Sequence, residues 1–208
     1  MSRRPRRSEH RRASKTATCT AAILGFMPPS TPRLTLREMT ADDLPALRAI
    51  LQDEITMTAY EGAFDEALVQ AWLRRALDRY RDDGFGLWAV ILRETGEFIG
   101  QCGLTRQHIL GENVIEVGYL FNRAHWHQGY AVEAATACRD YAFTQLDARR
   151  VWSQVRNTNT ASMNVAIRIG MTVRGHFTMQ YRGAELPHLA FAVDRAAEAA
   201  PSDLSEAA

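Results

Sequence analysis

A short apolar stretch holds a single carboxylate. Glu116 lies within the run Ile-Glu-Val-Gly-Tyr-Leu-Phe at residues 115–121, whose β-branched and aromatic composition is typical of a strand. A carboxylate on such a strand is costly to bury unless it is solvated or paired. Burial near a cleft would raise its pKa toward neutrality, where a carboxylate can accept and release a proton. Glu116 is therefore a candidate general base; the alternative is a glutamate on an exposed strand face.

The residues that follow this strand favour binding of an anion. Gly129 precedes a run rich in alanine, the best helix former, so the sequence predicts a helix that begins just after it. The first N–H groups of a helix have no partner within it, and a glycine lets the backbone approach a ligand closely. This arrangement suits a phosphate or a diphosphate. An ordinary tight turn at Gly129 is the alternative.

Strands and helices that would position these residues are read from hydrophobic periodicity and from turn residues. The second helix is expected to turn Leu68, Trp72, Ala76 and Tyr80 toward the core. The strand–helix–strand unit around Gly129 implies parallel pairing of its two strands. The expected order is β α α β β β α β α β β, over strands at about 33–37, 87–93, 98–106, 114–121, 150–156, 171–181 and 186–193, with helices at about 40–52, 66–81, 130–146 and 160–170.

Two motifs resemble those of a known family. The run Glu-Val-Gly-Tyr at 116–119, followed by Trp-x-x-Gly-Tyr-Ala-x-Glu-Ala at 126–134, resembles the acyl-CoA-binding segment of the GNAT acetyltransferase superfamily. It is most similar to the branch that includes ribosomal-protein N-terminal acetyltransferases. A second match is Asn159-x-x-Ser162 followed by Gly170. The resemblance covers about residues 31–193 and implies the GNAT acyl-CoA N-acyltransferase fold: α/β (α+β), with a mixed, mostly antiparallel central sheet and helices on both faces.

The resemblance also implies roles for individual residues. Acetyl-CoA would be the co-substrate, and Glu116 would take the proton of the attacking amine directly or through water. The strand would offer backbone groups at Val117 and Tyr119 to the pantetheine arm, and Asn159 would bond the same arm. The backbone would hold the diphosphate at His127, Gln128, Gly129, Tyr130 and Ala131. His127 is a departure, because a small residue is common at that position of the family motif.

The group that protonates the leaving thiolate is a second departure. Many superfamily members carry a tyrosine four residues beyond the position of Ser162, where this chain has Ala166. In the branch that the chain resembles, a serine at the Ser162 position can fill the role. The alternatives are a first-turn hydroxyl at Ser162 and a plain helix N-cap at Asn159. No metal is expected, because His125 and His127 have no third ligand at a recognised spacing.

Charge and cysteine content suggest the organisation of the chain. Residues 1–15 carry seven Lys or Arg against Glu9 alone, a net +6, which leaves −5 for the remainder of a chain of net charge +1. We expect a disordered basic tail at 1–30, one domain at 31–195 and a disordered tail at 196–208. The basic tail is a possible nucleic-acid contact, although a solvated tail is favoured. Three widely spaced cysteines fit a reducing cytoplasm, and no run is long enough to span a membrane.

The sequence thus predicts a cytoplasmic N-acetyltransferase, as a monomer or homodimer, that acts by direct transfer. A protein N-terminal α-amine is the favoured acceptor, because its pKa of about 7.7–8 lies well below the ~10.4 of lysine. One alternative is a small-molecule or antibiotic amine. Another is a non-catalytic acyl-CoA-binding module, which the alanine at 166 suggests. Four residues are candidates for the acceptor side: Trp72, His176, Tyr181 and His188.

Overall fold

The computed structural model describes residues 27–196, so the predicted tails at 1–30 and 196–208 lie outside the described residues except for 27–30 and residue 196. Its element order is the expected one, with short 3₁₀ turns at 41–43, 58–60 and 123–125. The strands are β1 (Leu34–Arg37), β2 (Leu87–Leu92), β3 (Phe98–Ile109), β4 (Glu112–Phe121), β5 (Arg150–Arg156), β6 (Thr172–Tyr181) and β7 (Ala184–Asp194). The helices are α1 (Leu44–Leu51), α2 (Glu66–Asp83), α3 (Tyr130–Gln145) and α4 (Thr160–Arg168).

All seven described strands form one sheet in the order β1-β2-β3-β4-β5-β7-β6. Every neighbouring pair is antiparallel except β4 and β5, which are parallel and are joined through α3. This confirms the expected mixed, mostly antiparallel sheet. The parallel pair follows from the connection, since a helical crossover returns the chain in the same direction.

The β4–β5 pairing is short. Its register covers only Ile115 with Val151 and Glu116 with Trp152. Beyond Glu116, β4 stays paired with β3 as far as Phe121, and β5 stays paired with β7 along its whole length. The two central strands therefore separate after Glu116, and the sheet opens there.

Helices cover both faces of the sheet, as expected. The alternation along β2 shows this: Trp88 and Val90 belong to the core cluster beneath α3 and α4, whereas Leu87 and Ala89 belong to the cluster beneath α1 and α2. A strand that is buried on both faces reads as a continuous apolar run, which is the pattern of β2. The opening between β4 and β5 thus lies between two helical layers.

The buried face of α2 differs from the prediction in one respect. Its fully buried residues are Val69, Leu73 and Ala76, while Leu68, Trp72 and Tyr80 are partly buried beside them. Trp72 is less buried because that flank of α2 faces a cavity rather than packed side chains. The periodicity located the helix correctly but placed the centre of its buried stripe about one residue away.

The edges of the described region are tied to the domain. Ser30 forms an isolated bridge with Thr35, and the backbone N–H of Arg195 donates to the carbonyl of Arg149 at 2.8 Å. Cys102 and Cys138 are fully buried, as expected for small apolar side chains, and Cys19 lies outside the described residues. Among the helices at 27–196, none combines the length and apolar character that a membrane span requires.

Candidate active site

Glu116 lies at the point where β4 and β5 separate. Its side chain is 7% exposed and forms three hydrogen bonds. The backbone N–H of Gln154 donates to Oε1 at 3.1 Å, the Gln154 side-chain Nε2 donates to Oε2 at 3.2 Å, and the Thr105 hydroxyl donates to Oε2 at 3.4 Å. Glu116 is the last residue of β4 that pairs with β5, opposite Trp152. Its carboxylate accepts the backbone N–H of Gln154, two residues further along β5. Glu116 is buried and oriented, and the alternative of an exposed strand face is wrong.

The surroundings of Glu116 give it the protonation behaviour of a base. Burial raises its pKa to about 7, because a charged carboxylate is poorly solvated in the gap. The hydrogen bonds from Gln154 and Thr105 and the charge of Arg79 oppose this shift and hold the pKa near neutrality. A carboxylate with a pKa near neutral pH both accepts a proton and releases it again.

A cavity of about 290 Å³ extends from Glu116 toward α2 and the β6–β7 hairpin. Its walls include the aromatic side chains of Tyr60, Trp72 and Tyr181. Tyr60 meets both of the others edge to face, with ring centroids 5.9 Å and 6.4 Å apart, and burial raises its pKa to about 12. Three of the four candidates for the acceptor side therefore line this cavity, namely Trp72, Tyr181 and His188, whereas His176 is not among the lining residues.

The chain turns sharply before α3 through two residues of positive φ. His127 has φ 62° and Gly129 has φ 82°. The left-handed conformation is free for glycine but costs a side-chain-bearing residue about 1 kcal/mol or more. The indole N–H of Trp126 donates to the carbonyl of Phe121 at 2.9 Å, which fixes the start of the turn against β4. We name residues 126–131 the phosphate cradle.

The amides at the start of α3 are available to a ligand. Within residues 27–196, no hydrogen bond occupies the backbone N–H groups from Gly129 to Val132, and the first amide bonded in the helical pattern is that of Glu133, to the carbonyl of Gly129 at 3.0 Å. Tyr130 is buried and directs its ring into the core, and Ala131 is partly buried. The arrangement fits a diphosphate, because several N–H groups and the positive end of α3 lie at one place.

An ion pair braces the phosphate cradle from the segment just before β1. The Arg33 guanidinium donates to Glu133 at 2.6 Å and to the carbonyl of Gln128 at 3.0 Å, and it lies 4.5 Å from the centre of the Tyr130 ring. Glu133 also accepts the Thr31 hydroxyl. Partial burial opposes ionisation of Glu133, but these bonds outweigh it and lower its pKa. These contacts tie Glu133 to the segment before β1, which is a structural role. Sequence reasoning missed Arg33.

Beyond Glu116, the edge of β4 that faces β5 is not paired with a strand. Val117 and Tyr119 continue the ladder with β3 on the other side, opposite Leu104 and Cys102. Both residues line the cavity, together with Gly118 and Leu120. This strand edge therefore offers backbone donors and acceptors along the opening, where an extended ligand arm has room to lie.

Asn159 and Ser162 approach the opening from α4. The Asn159 side chain caps α4 by accepting the N–H of Ser162 at 3.1 Å, and both residues line the cavity. The Tyr119 hydroxyl donates to the carbonyl of Ser162 at 2.9 Å, and burial raises its pKa. Ala166 is fully buried, so its position offers no proton donor. The N-cap at Asn159 is thus present, and Ser162 is the residue of α4 that lines the cavity.

Several residues of the site were not identified from the sequence. Gln154 and Thr105 bond to Glu116, Gln101 lines the cavity, and Arg79 lies on the flank of α2 that faces it. For Gln101 and Thr105 the signal is a polar residue within an apolar strand, since both are buried, as Glu116 is. Among residues 27–196, no group of three or more His, Cys, Asp or Glu side chains could hold a metal ion.

Comparisons with known proteins agree with this architecture. A model of the acetyltransferase (GNAT) domain matches residues 33–172. YkkB of Bacillus subtilis is 39% identical over 142 residues, which cover 68% of this chain and 83% of that protein. The N-acetyltransferase p20 of Bacillus licheniformis is 33% identical over 138 residues, which cover 65% of this chain and 76% of that protein.

Solved structures give the same result. The acetyltransferase from Agrobacterium tumefaciens superposes with a TM-score of 0.68 at 32% identity, covering 80% of this chain and 93% of that one. Two more distant structures share the fold. One is a Vibrio cholerae protein assigned as a ribosomal-protein-serine acetyltransferase, with a TM-score of 0.69 at 21% identity, covering 81% of this chain and 99% of that one. A spermidine N-acetyltransferase from the same organism, solved with CoA and spermine, has a TM-score of 0.65 at 17% identity, covering 79% and 96%. By its sequence and by the arrangement of its elements, this chain belongs to the GNAT acetyltransferase family.

Proposed function

We propose that this acetyltransferase moves the acetyl group of acetyl-CoA to a primary amine by direct attack, and that the acceptor is the α-amine of a protein N-terminus. The observation that carries the proposal is the position of Glu116. A buried carboxylate with a pKa of about 7 lies where β4 and β5 separate, at one end of the cavity. The free amides of the phosphate cradle lie at the start of the helix that joins these two strands.

Different segments of the chain bind different parts of acetyl-CoA. The amides from Gly129 to Val132, with the turn at His127 and Gln128, hold the diphosphate. The open edge of β4 at Val117 and Tyr119, together with Asn159, holds the pantetheine arm. Acetyl-CoA supplies an activated thioester, so the protein has to position it and manage protons but need not form a covalent bond to the acetyl group.

Proton transfer is the main chemical contribution of the side chains. An α-amine is largely protonated below its pKa of about 7.7–8, so Glu116 accepts the proton that the nitrogen loses as it attacks the thioester carbon. The bond between that carbon and sulfur breaks, and the leaving thiolate takes a proton from the Ser162 hydroxyl. Solvent water returns a proton to Ser162, and Glu116 releases the proton it accepted to solvent, so both groups regain their starting states. Tyr119 positions Ser162, because its hydroxyl donates to the Ser162 carbonyl.

An acceptor screen tests the proposal. The full chain is incubated with acetyl-CoA and with peptides of varied N-terminal residue, lysine side-chain analogues, polyamines and small amines; released thiol and acetylated product are measured. We expect acetylation of peptide α-amines and, because general bases contribute about 10²–10⁴-fold, a loss of at least 100-fold in kcat for Glu116→Gln with little change in the Kd of acetyl-CoA. Glu112→Gln, an exposed carboxylate on the same strand, is the matched control.

Other outcomes of the screen favour the alternatives. Efficient use of a small amine with no use of peptides would move the acceptor to the small-molecule class. Tight binding of acetyl-CoA with no turnover on any amine would support a non-catalytic module, the reading that Ala166 suggests.

A further inference from the structure

Two arginines of the acceptor cavity form no ion pair within residues 27–196. Its lining residues within the described range include three arginines, Arg75, Arg79 and Arg156, and one carboxylate, Glu116. Arg156 is neutralised, since it pairs with Glu61 and donates to the carbonyl of Thr58 at 3.2 Å. In the part of the chain that the structure describes, no carboxylate lies within ion-pairing distance of Arg75 or Arg79.

These two arginines are held on the side of α2 that faces the cavity. Trp72, Arg75, Ala76 and Arg79 follow the spacing i, i+3, i+4 and i+7, which places them on one helix face. The Arg75 guanidinium packs 5.5 Å from the centre of the Trp72 ring. Arg79 is half-buried, and its burial and the charge of Arg75 lower its pKa, although the charges of Glu116 and Asp83 oppose the shift. Two like charges that lie together and form no ion pair among the described residues attract an anion to this wall.

A buried amide adds a neutral donor at the same wall. Gln101 is fully buried and lines the cavity. The Trp72 indole N–H donates to its Oε1 at 2.9 Å, which fixes the orientation of the amide and leaves Nε2 as the free end. Within residues 27–196, Nε2 has no hydrogen-bond partner. A buried donor without a partner costs about 1–3 kcal/mol, so a carbonyl or carboxylate oxygen from a ligand is favoured there.

We infer that the acceptor is a peptide N-terminus with an aspartate or glutamate among its first three residues, whose carboxylate binds Arg75 and Arg79 while its α-amine lies beside Glu116. The inference rests on the proposed function, because it specifies what binds to the wall formed by Arg75 and Arg79 in the same cavity. A polyamine is disfavoured, since its additional cations would meet these two arginines. Gln101 donates to a backbone carbonyl of the bound peptide.

Steady-state kinetics on three matched peptides tests this inference. The peptides share an N-terminal alanine and differ at the second and third residues, as Asp-Glu, Asn-Gln or Lys-Lys. Because a hydrogen bond to a charged group contributes about 1.5–3 kcal/mol, we expect kcat/KM to favour the acidic peptide over its amide by about tenfold or more. The double variant Arg75→Ala/Arg79→Ala should reduce this ratio to about one, and Arg75→Glu/Arg79→Glu should favour the basic peptide. Because each ratio compares peptides on the same variant, any effect of Arg79 on the pKa of Glu116 cancels.

Arg74→Ala is the matched control, because Arg74 is an exposed residue of α2 that does not line the cavity. It should keep the acidic preference of the wild type. Raising the salt from 50 to 500 mM should weaken that preference, since partly exposed charges are screened. An acidic preference that persists in the double alanine variant, or a wild type without preference, would overturn the inference while the proposed acetyl transfer stands. Free glutamate used as well as the acidic peptide would overturn the assignment to a peptide.

A binding measurement separates the inference from turnover. Calorimetric titration of the three peptides into the full chain saturated with CoA reports acceptor affinity even if no peptide is acetylated. Weaker binding of the acidic peptide to the double alanine variant, with an unchanged Kd for CoA, supports the inference. Equal binding of all three peptides to the wild type refutes it.

Discussion

At the scale of single residues, the site depends on how a carboxylate is buried. The Glu116 carboxylate accepts the backbone N–H of Gln154, which has no backbone partner on β4. The separation of β4 and β5 therefore both orients this carboxylate and opens the sheet to a ligand. The pKa of about 7 has a cost for folding, because the carboxylate is harder to ionise in the folded protein than in the unfolded chain. A residue that serves only structure would gain nothing from this cost.

The stability of Glu116→Gln should therefore depend on pH in a specific direction. Between the ordinary pKa of 4.5 and about 7, the folded state binds the proton more tightly than the unfolded chain, so the wild type loses stability as pH rises through this window. Glutamine cannot ionise and avoids the loss, which amounts to at most about 3 kcal/mol at 1.36 kcal/mol per pKa unit.

Urea unfolding of both proteins from pH 4 to pH 8 measures this. We expect the variant to gain on the wild type as pH rises and the difference to level off above pH 7. Glu112→Gln, whose carboxylate is exposed, provides the comparison. A difference between Glu116→Gln and wild type that does not change with pH would show that Glu116 ionises normally in the folded protein.

At the scale of elements, the start of α3 shows what a sequence can and cannot predict. Gly129 and the alanine-rich run located the helix and its free amides from local signals. The clamp by Arg33 was not predictable, because Arg33 meets Glu133 across 100 residues of sequence and only the fold brings them together. The φ of 62° at His127 was also missed, since a histidine gives no local sign of a left-handed conformation.

The phosphate cradle gives a prediction at this scale. Gly129→Glu should abolish measurable binding of acetyl-CoA, because it places a carboxylate beside the amides that hold the diphosphate and forces a side chain into φ 82°. The matched control is Gly111→Glu in the β3–β4 turn, where φ is 87° and an added Cβ meets no atom within 4 Å.

Isothermal titration with acetyl-CoA distinguishes the two variants. Both carry a glutamate in a left-handed conformation, so the backbone strain is similar and only the location differs. Unaltered affinity in Gly129→Glu, or equal loss in the two variants, would argue against a diphosphate at these amides.

At the scale of the whole molecule, the central feature is a sheet that opens between its two middle strands. The parallel pairing of β4 and β5 was predictable from the helix between them, and so was the order of all eleven elements. The length of this pairing, which is only two residue pairs, was not predictable. It depends on tertiary contacts such as the hydrogen bond between Gln154 and Glu116. Likewise Trp72 was expected to pack in the core, with the acceptor side as the alternative. It is partly buried against the core and also lines the cavity, because α2 covers the open part of the sheet.

The same architecture predicts how the chain tolerates truncation. Every residue assigned to the phosphate cradle, the cavity and the base lies between Arg33 and His188. A protein that begins at Met27 should therefore keep the Kd of acetyl-CoA and the kcat on a peptide acceptor within about twofold, a difference of ~0.4 kcal/mol.

Titration and turnover assays on the shortened protein check this expectation, and a gel-shift assay with RNA run in parallel tests the basic segment. Retained RNA affinity without residues 1–26 would remove the idea that these residues bind nucleic acid. A large loss of acetyl-CoA binding would show that the site extends beyond the described residues.

The central claim is that the Glu116 carboxylate takes the proton of the acceptor amine, and the most direct measurement is the ratio of kcat/KM for wild type to that for Glu116→Gln as a function of pH. Titration of the acceptor amine affects both enzymes and cancels in the ratio. We predict a ratio that is small below pH 6, where Glu116 is protonated and resembles glutamine, and that rises through a midpoint near pH 7 to a plateau of about 10²-fold or more. A ratio that stays constant from pH 5.5 to pH 9 would contradict the account.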